Sequence, residues 1–279
     1  MPGYPSVFVH VDASRSVTTR VNLAARIAAA QDCRLVGVCA TFTPEPRWFY
    51  RMDEASKYLQ ADRERRLRRH ETLRQQFQST LAEQSITAEW RSEDGDPVVH
   101  TLKEIKEAGL VVAGQPDETD PEAYVAPQFL ESMILESGRP VLVVPYAVSI
   151  ETIGTRALVA WDGGRECTRA LHDALPLLAG SEVHVLSVQA MRHSLRQDAA
   201  PASSAARLLR DVGAEVQTEF GPAAADMAIG ELILSRAADC GADMIVMGAY
   251  GHGRFRELVL GGVTRTILSS MTVPTLFAH

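Results

Sequence analysis

Short apolar segments alternate with longer amphipathic segments along the whole chain. In the first half, the pattern predicts strands at Val7–Val11, Leu35–Thr41, Ile86–Arg91, Leu110–Ala113 and Val141–Val144. The pattern then restarts and predicts strands at Ala157–Trp161, Val183–Val188, Glu215–Glu219, Met244–Met247 and Thr275–Ala278. Because helical segments separate the strands, the connections are crossovers, and the strands of each half are expected to run parallel.

The intervening segments carry apolar residues at helical spacing. They predict helices at Ser14–Gln31, Asp53–Gln84, Pro97–Ala108, Pro127–Ser137, Glu166–Ala179, Ala202–Val212 and Ala223–Ala238. A final helix is indicated by an apolar residue at every fourth position, at Phe255, Val259, Val263, Ile267 and Met271. The predicted fold class is therefore α/β, with two tandem Rossmann-like open parallel sheets of five strands each and flanking helices.

The two halves also align residue by residue. Three segments of the first half recur in the second: Val9–Asp12 at Val159–Asp162, Val111–Gly114 at Ile245–Gly248, and Arg139–Leu142 at Val273–Leu276. The segments of the first pair are 150 positions apart, and those of the other two pairs are 134 positions apart. The long charged helix predicted in the first half accounts for this difference, because its counterpart in the second half is shorter. The alignment predicts two domains, at residues 1–147 and 153–279. The linker between them is short, which favours close packing.

Composition and charge exclude several classes of function. A net charge of −7 and a pI near 5.6 disfavour general binding to nucleic acid or to an anionic membrane. The four cysteines form no C-x-x-C pair and the histidines do not cluster with them, so neither a disulfide framework nor a zinc site is expected. With no leader-like start and no apolar run of about 18 residues, the sequence predicts a cytoplasmic protein.

A glycine-rich segment follows the fourth strand of the second half. Gly248, Gly251 and Gly253 lie just past the strand, and the pair Gly261-Gly262 stands where the last helix is expected to begin. Glycines let backbone N–H groups approach an anion, and a helix N-terminus adds a positive dipole end. The segment therefore suits a phosphate, with Thr264 as a further donor and Arg254 or Arg256 as a source of positive charge. Plain surface charges are the alternative for both arginines. Glycines after a strand also serve simply as turn formers, and that alternative stays open.

The first half lacks this segment. At the same offset of 134, Gly251 corresponds to Asp117, Gly261 to Pro127 and Gly262 to Gln128, and the loop 114–122 carries four carboxylates. Proline removes a donor and carboxylates repel a phosphate, so we expect the first half to bind no nucleotide.

These residues resemble the universal stress protein family. Its nucleotide-binding members carry G-x-x-G, nine residues, then a glycine, as do Gly248, Gly251 and Gly261 here, and Asp162 follows the first strand. The resemblance covers essentially the whole chain as two copies and implies an adenine nucleotide alpha hydrolase-like fold. It also implies ATP, ADP or AMP as ligand, with Mg²⁺ as a candidate companion, bound at the carboxyl ends of the strands.

By position, the resemblance implies a set of ligand-contacting residues in the second half. The nucleoside would contact Ala160, Trp161, Asp162 and Val188. The ribose and phosphates would contact Gly248, Gly251, His252, Gly253, Arg254, Gly261, Gly262, Val263 and Thr264.

Two positions leave alternatives open. Gly262 stands where the family has Ser or Thr, and the lost hydroxyl would weaken binding about tenfold to a hundredfold. Trp161 is expected to fill space rather than to stack on the base, because large aromatic residues usually serve packing.

The expected role is that of a stress-responsive, nucleotide-binding regulatory protein without efficient catalysis, since no catalytic residue emerges. The alternatives are a nucleotide-free interaction scaffold and a slow ATPase. The resemblance further implies an intramolecular pseudo-dimer joined through the last strands, Val141–Val144 and Thr275–Ala278. A homodimer and an unidentified protein partner are compatible with it. The basic run Arg63–His70 is interpreted as a solvated helix face.

Overall fold

The computed structural model describes residues 3–43, 55–187, 201–221, 226–249 and 261–279. The strands are β1 Ser6–His10, β2 Arg34–Phe42, β3 Ala88–Gly95, β4 Leu110–Gly114, β5 Val141–Val144, β6 Arg156–Trp161, β7 Glu182–Ser187, β8 Glu215–Phe220, β9 Met244–Gly248 and β10 Thr275–Ala278. The α-helices are α1 Val17–Ala30, α2 Ala55–Thr80, α3 Pro97–Glu104, α4 Phe129–Glu136, α5 Arg165–Leu178, α6 Ala202–Asp211, α7 Asp226–Asp239 and α8 Gly262–Ser270.

The ten strands form one open sheet in the order β3-β2-β1-β4-β5-β10-β9-β6-β7-β8. Every pairing within β1–β5 and within β6–β10 is parallel, and β5 pairs with β10 antiparallel. The predicted fold class is confirmed, and the two last strands expected to associate do pair. Leu276 lies opposite Leu142 at the centre of this pairing.

The strand register agrees with both sequence offsets. Val7 of β1 lies opposite Leu110 of β4, and their counterparts Ala157 and Met244 lie opposite each other in β6 and β9. The halves therefore repeat in backbone register as well as in sequence. The proposed domain boundaries, at 147 and 153, fall between the end of β5 and the start of β6.

Two apolar layers run across both halves. One face of the sheet is covered by α1, α2, α5 and α6, and the other by α3, α4, α7 and α8. Hydrogen bonds also link the halves: the Tyr4 hydroxyl donates to the carbonyl of Asp173 at 2.6 Å, and Gln115 Nε2 donates to the carbonyl of Leu268 at 2.8 Å. These contacts hold the two halves close together, as the short linker predicted.

The third strand differs from its prediction. It was expected at 86–91, but β3 spans Ala88–Gly95 and pairs with β2 as far as Phe42 opposite Gly95. Because β3 is an edge strand whose side chains are largely exposed or half-buried, its second half carries no apolar signal. Hydrogen bonding to β2, rather than hydrophobic pattern, sets its length.

The helices largely follow the prediction, with shorter ends. The last one, α8, begins at Gly262, and residues 250–260 of the predicted apolar series lie outside the described residues. Within the described ranges, no helix is long and apolar enough to cross a membrane.

We predict that truncating either central residue of the β5–β10 pairing destabilises the protein. Leu142 and Leu276 are fully buried, so replacing either with alanine should lower the free energy of unfolding by about 2–5 kcal/mol. Urea denaturation followed by circular dichroism measures the change. Val99→Ala, at a side chain 59% exposed, is the control and should shift it by less than about 0.5 kcal/mol. Losses no larger than the control's would mean that the pairing contributes little to stability.

Candidate functional site

The predicted site residues of the second half lie at the carboxyl edge of the sheet and at the start of α8. Ala160 and Trp161 end β6, Asp162 follows directly, and Gly248 ends the neighbouring strand β9. Four others, Gly261, Gly262, Val263 and Thr264, form the N-cap and first turn of α8. The remaining predicted residues, Val188, Gly251, His252, Gly253 and Arg254, lie outside the described residues.

The side chains of Ala160 and Trp161 point to opposite faces of the sheet. Ala160 belongs to the apolar layer under α7 and α8, whereas Trp161 belongs to the layer under α5 and α6 and is 3% exposed. The indole ring is thus part of the core, which is the space-filling role expected for it.

Asp162 lies between β6 and α5. Its Oδ1 accepts a hydrogen bond from the Gly164 N–H at 2.8 Å, an interaction that shapes the turn into the helix. Cys167 is close by, and burial, reinforced by the Asp162 carboxylate, raises the pKa of its thiol to about 12. The thiol therefore stays protonated at neutral pH and is unsuited to act as a nucleophile.

Gly248 is required by packing. A Cβ at this position would overlap the Cys167 backbone nitrogen and lie 2.6 Å from the carbonyl carbon of Glu166. The first turn of α5 therefore rests directly on the end of β9, which brings the N-terminus of α5 beside the strand from which the glycine segment continues.

Gly261 is under no such constraint. It is exposed, its φ is −60°, and a Cβ added to it would have no heavy atom of the described residues within 4 Å. Packing among the described residues therefore gives no reason for a glycine here. Thr264, one turn into α8, is only 3% exposed.

The equivalent place in the first half is filled by side chains. Asp12, the counterpart of Asp162, forms an ion pair with Arg20, whose Nη2 lies 2.8 Å from Asp12 Oδ1. The carboxylate accepts a hydrogen bond from the Ser14 hydroxyl at 2.5 Å, and its Oδ2 lies 3.6 Å from His10 Nδ1. Arg20 is 1% exposed, donates from Nε to the His10 carbonyl at 2.8 Å and reaches Gly114, where an added Cβ would overlap its Nη1.

A carboxylate of the first-half loop closes over the same edge. Asp120, which is 4% exposed, accepts from the Arg15 N–H at 2.8 Å and from the Glu122 N–H at 3.2 Å. The acidic loop therefore binds backbone donors ahead of α1 instead of leaving them to an external anion. The sequence predicted the loss of a phosphate site here, but it did not predict that the chain's own side chains fill the place.

Neither Arg20 nor Glu166 was singled out from the sequence. A signal existed for Arg20, since it is a charged residue on the apolar face made by Val17, Val21 and Ala24. In the second half, Glu166 is 8% exposed and lies in the first turn of α5.

Among the described residues, no group of three His, Cys, Asp or Glu side chains could hold a metal ion.

The cluster in the first half controls two ionisation equilibria. Burial, together with Arg20, lowers the pKa of His10 to about 4 against the opposing effect of Asp12. Burial alone would raise the pKa of Asp12, but Arg20, His10 and hydrogen bonds from Ser14 together hold it below its ordinary value of 3.8. At neutral pH the cluster therefore contains a neutral imidazole and an ion pair.

We predict that stability falls as the pH drops from 6.5 towards 4. In this window His10 gains a proton in the unfolded chain but stays neutral in the folded one, so protonation favours unfolding by up to about 1.4 kcal/mol per pH unit. Denaturant titrations across the window measure the slope, which His10→Phe should reduce. The exposed His172→Phe is the control and should retain it. An unchanged slope in His10→Phe would mean that other groups cause the effect.

We also predict that two glycines of the candidate site differ in their tolerance of alanine. Gly248→Ala should cost at least about 2 kcal/mol of stability because of the overlap with α5. Gly261→Ala should change stability by less than about 1 kcal/mol, because its conformation and surroundings accept a methyl group. Thermal and urea unfolding measure both, and equal losses would contradict the assignment of distinct roles.

Comparisons with known proteins show a likeness to one family in sequence and to several solved structures in fold. The universal stress protein family model matches residues 155–279. A universal stress protein of Synechocystis is 30% identical over 149 residues, which is 53% of this chain and 49% of that relative, so the match spans about half the length of each. Over 98% of both chains, a universal stress protein of Archaeoglobus fulgidus superposes with a TM-score of 0.69 at 16% identity.

A functionally unknown protein of Pseudomonas aeruginosa also shares the fold. It superposes with a TM-score of 0.59 at 17% identity, covering 98% of this chain and 92% of its own. At such identities, the two structural neighbours show the fold alone. The likeness in sequence lies in the second half, where residues 155–279 match the universal stress protein family model.

Proposed function

We propose that the second half of this chain binds an adenine nucleotide at the carboxyl edge of β6 and β9, while the first half acts as its structural partner. The observation that carries the proposal is an internal replacement. Each half places a carboxylate after its first strand, Asp12 or Asp162, but the side chains that surround Asp12 have small counterparts around Asp162.

Three positions around the two carboxylates differ between the halves. At the offset of 150, His10, Ser14 and Arg20 correspond to Ala160, Gly164 and Ala170. Asp162 keeps the backbone hydrogen bond of its turn but loses the counterparts of the guanidinium, the imidazole and the hydroxyl that contact Asp12. At these three positions, the described residues of the second half place small side chains where the first half has charged or polar ones, which suits a ligand group that donates to the Asp162 carboxylate.

The chemistry of Asp162 suits the nucleoside end of a nucleotide. A carboxylate accepts hydrogen bonds from hydroxyl and amino groups, which ribose and adenine provide, whereas it repels phosphate. The phosphates would therefore lie towards the start of α8, whose backbone N–H groups and dipole favour anions. Gly261, whose added Cβ would meet no heavy atom of the described residues, fits close approach of an anion to that helix end.

The resemblance in sequence supports the remaining parts of the proposal. The glycine segment, including Gly251, Gly253 and Arg254, would bind the phosphates of ATP, ADP or AMP, and Mg²⁺ would accompany the nucleotide. Binding would change a surface read by another protein under stress. We assign no catalytic residue, so hydrolysis, if any, should be slow.

We predict that ATP binding is lost when the first-half arrangement is copied into the second. Ala170→Arg places a guanidinium beside Asp162, as Arg20 lies beside Asp12, and should weaken ATP binding at least about tenfold in calorimetric titration. Thr168→Arg, on the same helix, adds the same charge at a half-buried position and should bind ATP like the native chain. Circular dichroism verifies that both variants fold.

A second variant covers the case in which Ala170→Arg fails to fold. Asp162→Asn keeps the shape of the side chain but removes its charge, and should weaken ATP binding about tenfold by weakening charge-assisted hydrogen bonds. Absence of heat with millimolar ATP for the native chain, together with no co-purified nucleotide, would instead favour the nucleotide-free scaffold.

We further predict that Gly261→Ala separates folding from ligand binding. The methyl group would meet no heavy atom of the described residues within 4 Å but would obstruct an anion at the N-terminus of α8. The variant should keep the native melting temperature and bind ATP about tenfold more weakly, measured by calorimetry. Native affinity in this variant would remove the start of α8 from the proposed site.

A further inference from the structure

The first turn of α5 contains a buried carboxylate that is only half satisfied. Glu166 is 8% exposed, and its Oε1 accepts from Arg165 Nε at 3.1 Å and lies 3.0 Å from Arg165 Nη2. Its Oε2 is buried and has no hydrogen-bond partner among the residues that the structure describes. A buried carboxylate oxygen without a donor is costly, so the position is unfavourable unless something else supplies one.

Glu166 lies directly against the candidate site. Its Cβ would be 2.8 Å from a Cβ placed on Gly248, the last residue of β9, and Asp162 precedes it by four residues in the turn between β6 and α5. The unpartnered oxygen and the N-terminus of a 14-residue helix therefore occur together at one edge of the sheet.

Stabilisation of the helix dipole does not account for this arrangement. An acidic residue in the first turn of a helix gains from the dipole even when it is exposed to solvent, so the effect explains the residue type but not its burial. In the first half, the corresponding residue is Ser16, whose hydroxyl lies 3.4 Å from that of Ser14. The buried carboxylate thus occurs in the half in which small residues replace the side chains that surround Asp12.

The surroundings favour a neutral donor over a metal ion. The other oxygen of Glu166 is occupied by the Arg165 guanidinium, whose positive charge opposes a cation at the same carboxylate. A hydroxyl group meets the need of Oε2 without adding charge. In an adenine nucleotide, the hydroxyl groups are those of the ribose.

We propose that Glu166 Oε2 accepts a hydrogen bond from a ribose hydroxyl of the bound nucleotide and so makes the site selective for ribonucleotides. This inference rests on the proposed function and adds a residue that sets specificity. A hydrogen bond to a charged acceptor changes affinity by about tenfold to a hundredfold. The site should therefore prefer ATP over an analogue that lacks the contacted hydroxyl by that factor.

The test compares three ligands on the full chain. Calorimetric titration gives the affinities of ATP, 2′-deoxy-ATP and 3′-deoxy-ATP for the native protein, for Glu166→Met and for Glu166→Gln. The native chain should bind one deoxy analogue at least about tenfold more weakly than ATP. Glu166→Met should reduce that preference to less than about threefold, and Glu166→Gln should retain part of it. Glu182→Gln removes a carboxylate from the opposite, amino end of β7 and should leave the preference unchanged.

Melting temperature separates a specificity role from a structural one. Without ligand, Glu166→Met removes a buried unsatisfied oxygen, so its melting temperature should rise or stay the same. A lower melting temperature with equally weakened binding of all three ligands would overturn the proposal, as would native binding of ATP with no preference over either analogue. If none of the three ligands binds the native chain, the nucleotide site itself fails, an outcome distinct from binding without ribose selectivity.

Discussion

In each half, a carboxylate lies between the first strand and the following helix, and the two halves differ in the side chains that surround it. In the first half, the Arg20 guanidinium pairs with Asp12 and the Ser14 hydroxyl donates to it, while His10 and Asp120 lie close by. In the second half, small residues take the corresponding positions beside Asp162. Removing one partner of a buried ion pair is strongly destabilising, so the closed arrangement of the first half is difficult to reverse.

The pairing of β5 with β10 holds the two halves together. β5 and β10 join two parallel sheets into one, and both apolar layers continue across the junction. The first half therefore contributes packing area to the second through this junction. Gln115, which follows β4 in the first half, bonds the carbonyl of Leu268 near the end of α8, so the helix whose start carries Gly261 and Gly262 is anchored from the other half.

The sequence predicted the features that depend on local pattern. Runs of β-branched and aliphatic residues located the central strands, and α5 was predicted within one residue at each end. β3 was misplaced because an edge strand has no apolar requirement along its length. The ion pair of Arg20 with Asp12 and the buried oxygen of Glu166 were missed because charge compensation depends on which residues meet in three dimensions. The sequence predicted the same role for Gly248 and Gly261. Their surroundings distinguish them, because a Cβ at Gly248 would overlap α5 whereas a Cβ at Gly261 would meet no described heavy atom.

The antiparallel pairing of β5 with β10 determines where the carboxyl ends of the strands lie. Since all strands of one half run opposite to those of the other, the carboxyl ends of β1 and β4 lie on one rim of the sheet and those of β6 and β9 on the opposite rim. The side chains that surround Asp12 and the predicted site residues beside Asp162 therefore lie on opposite rims, facing away from each other. The two rims carry different side chains although the backbone of the duplicated chain is nearly symmetric.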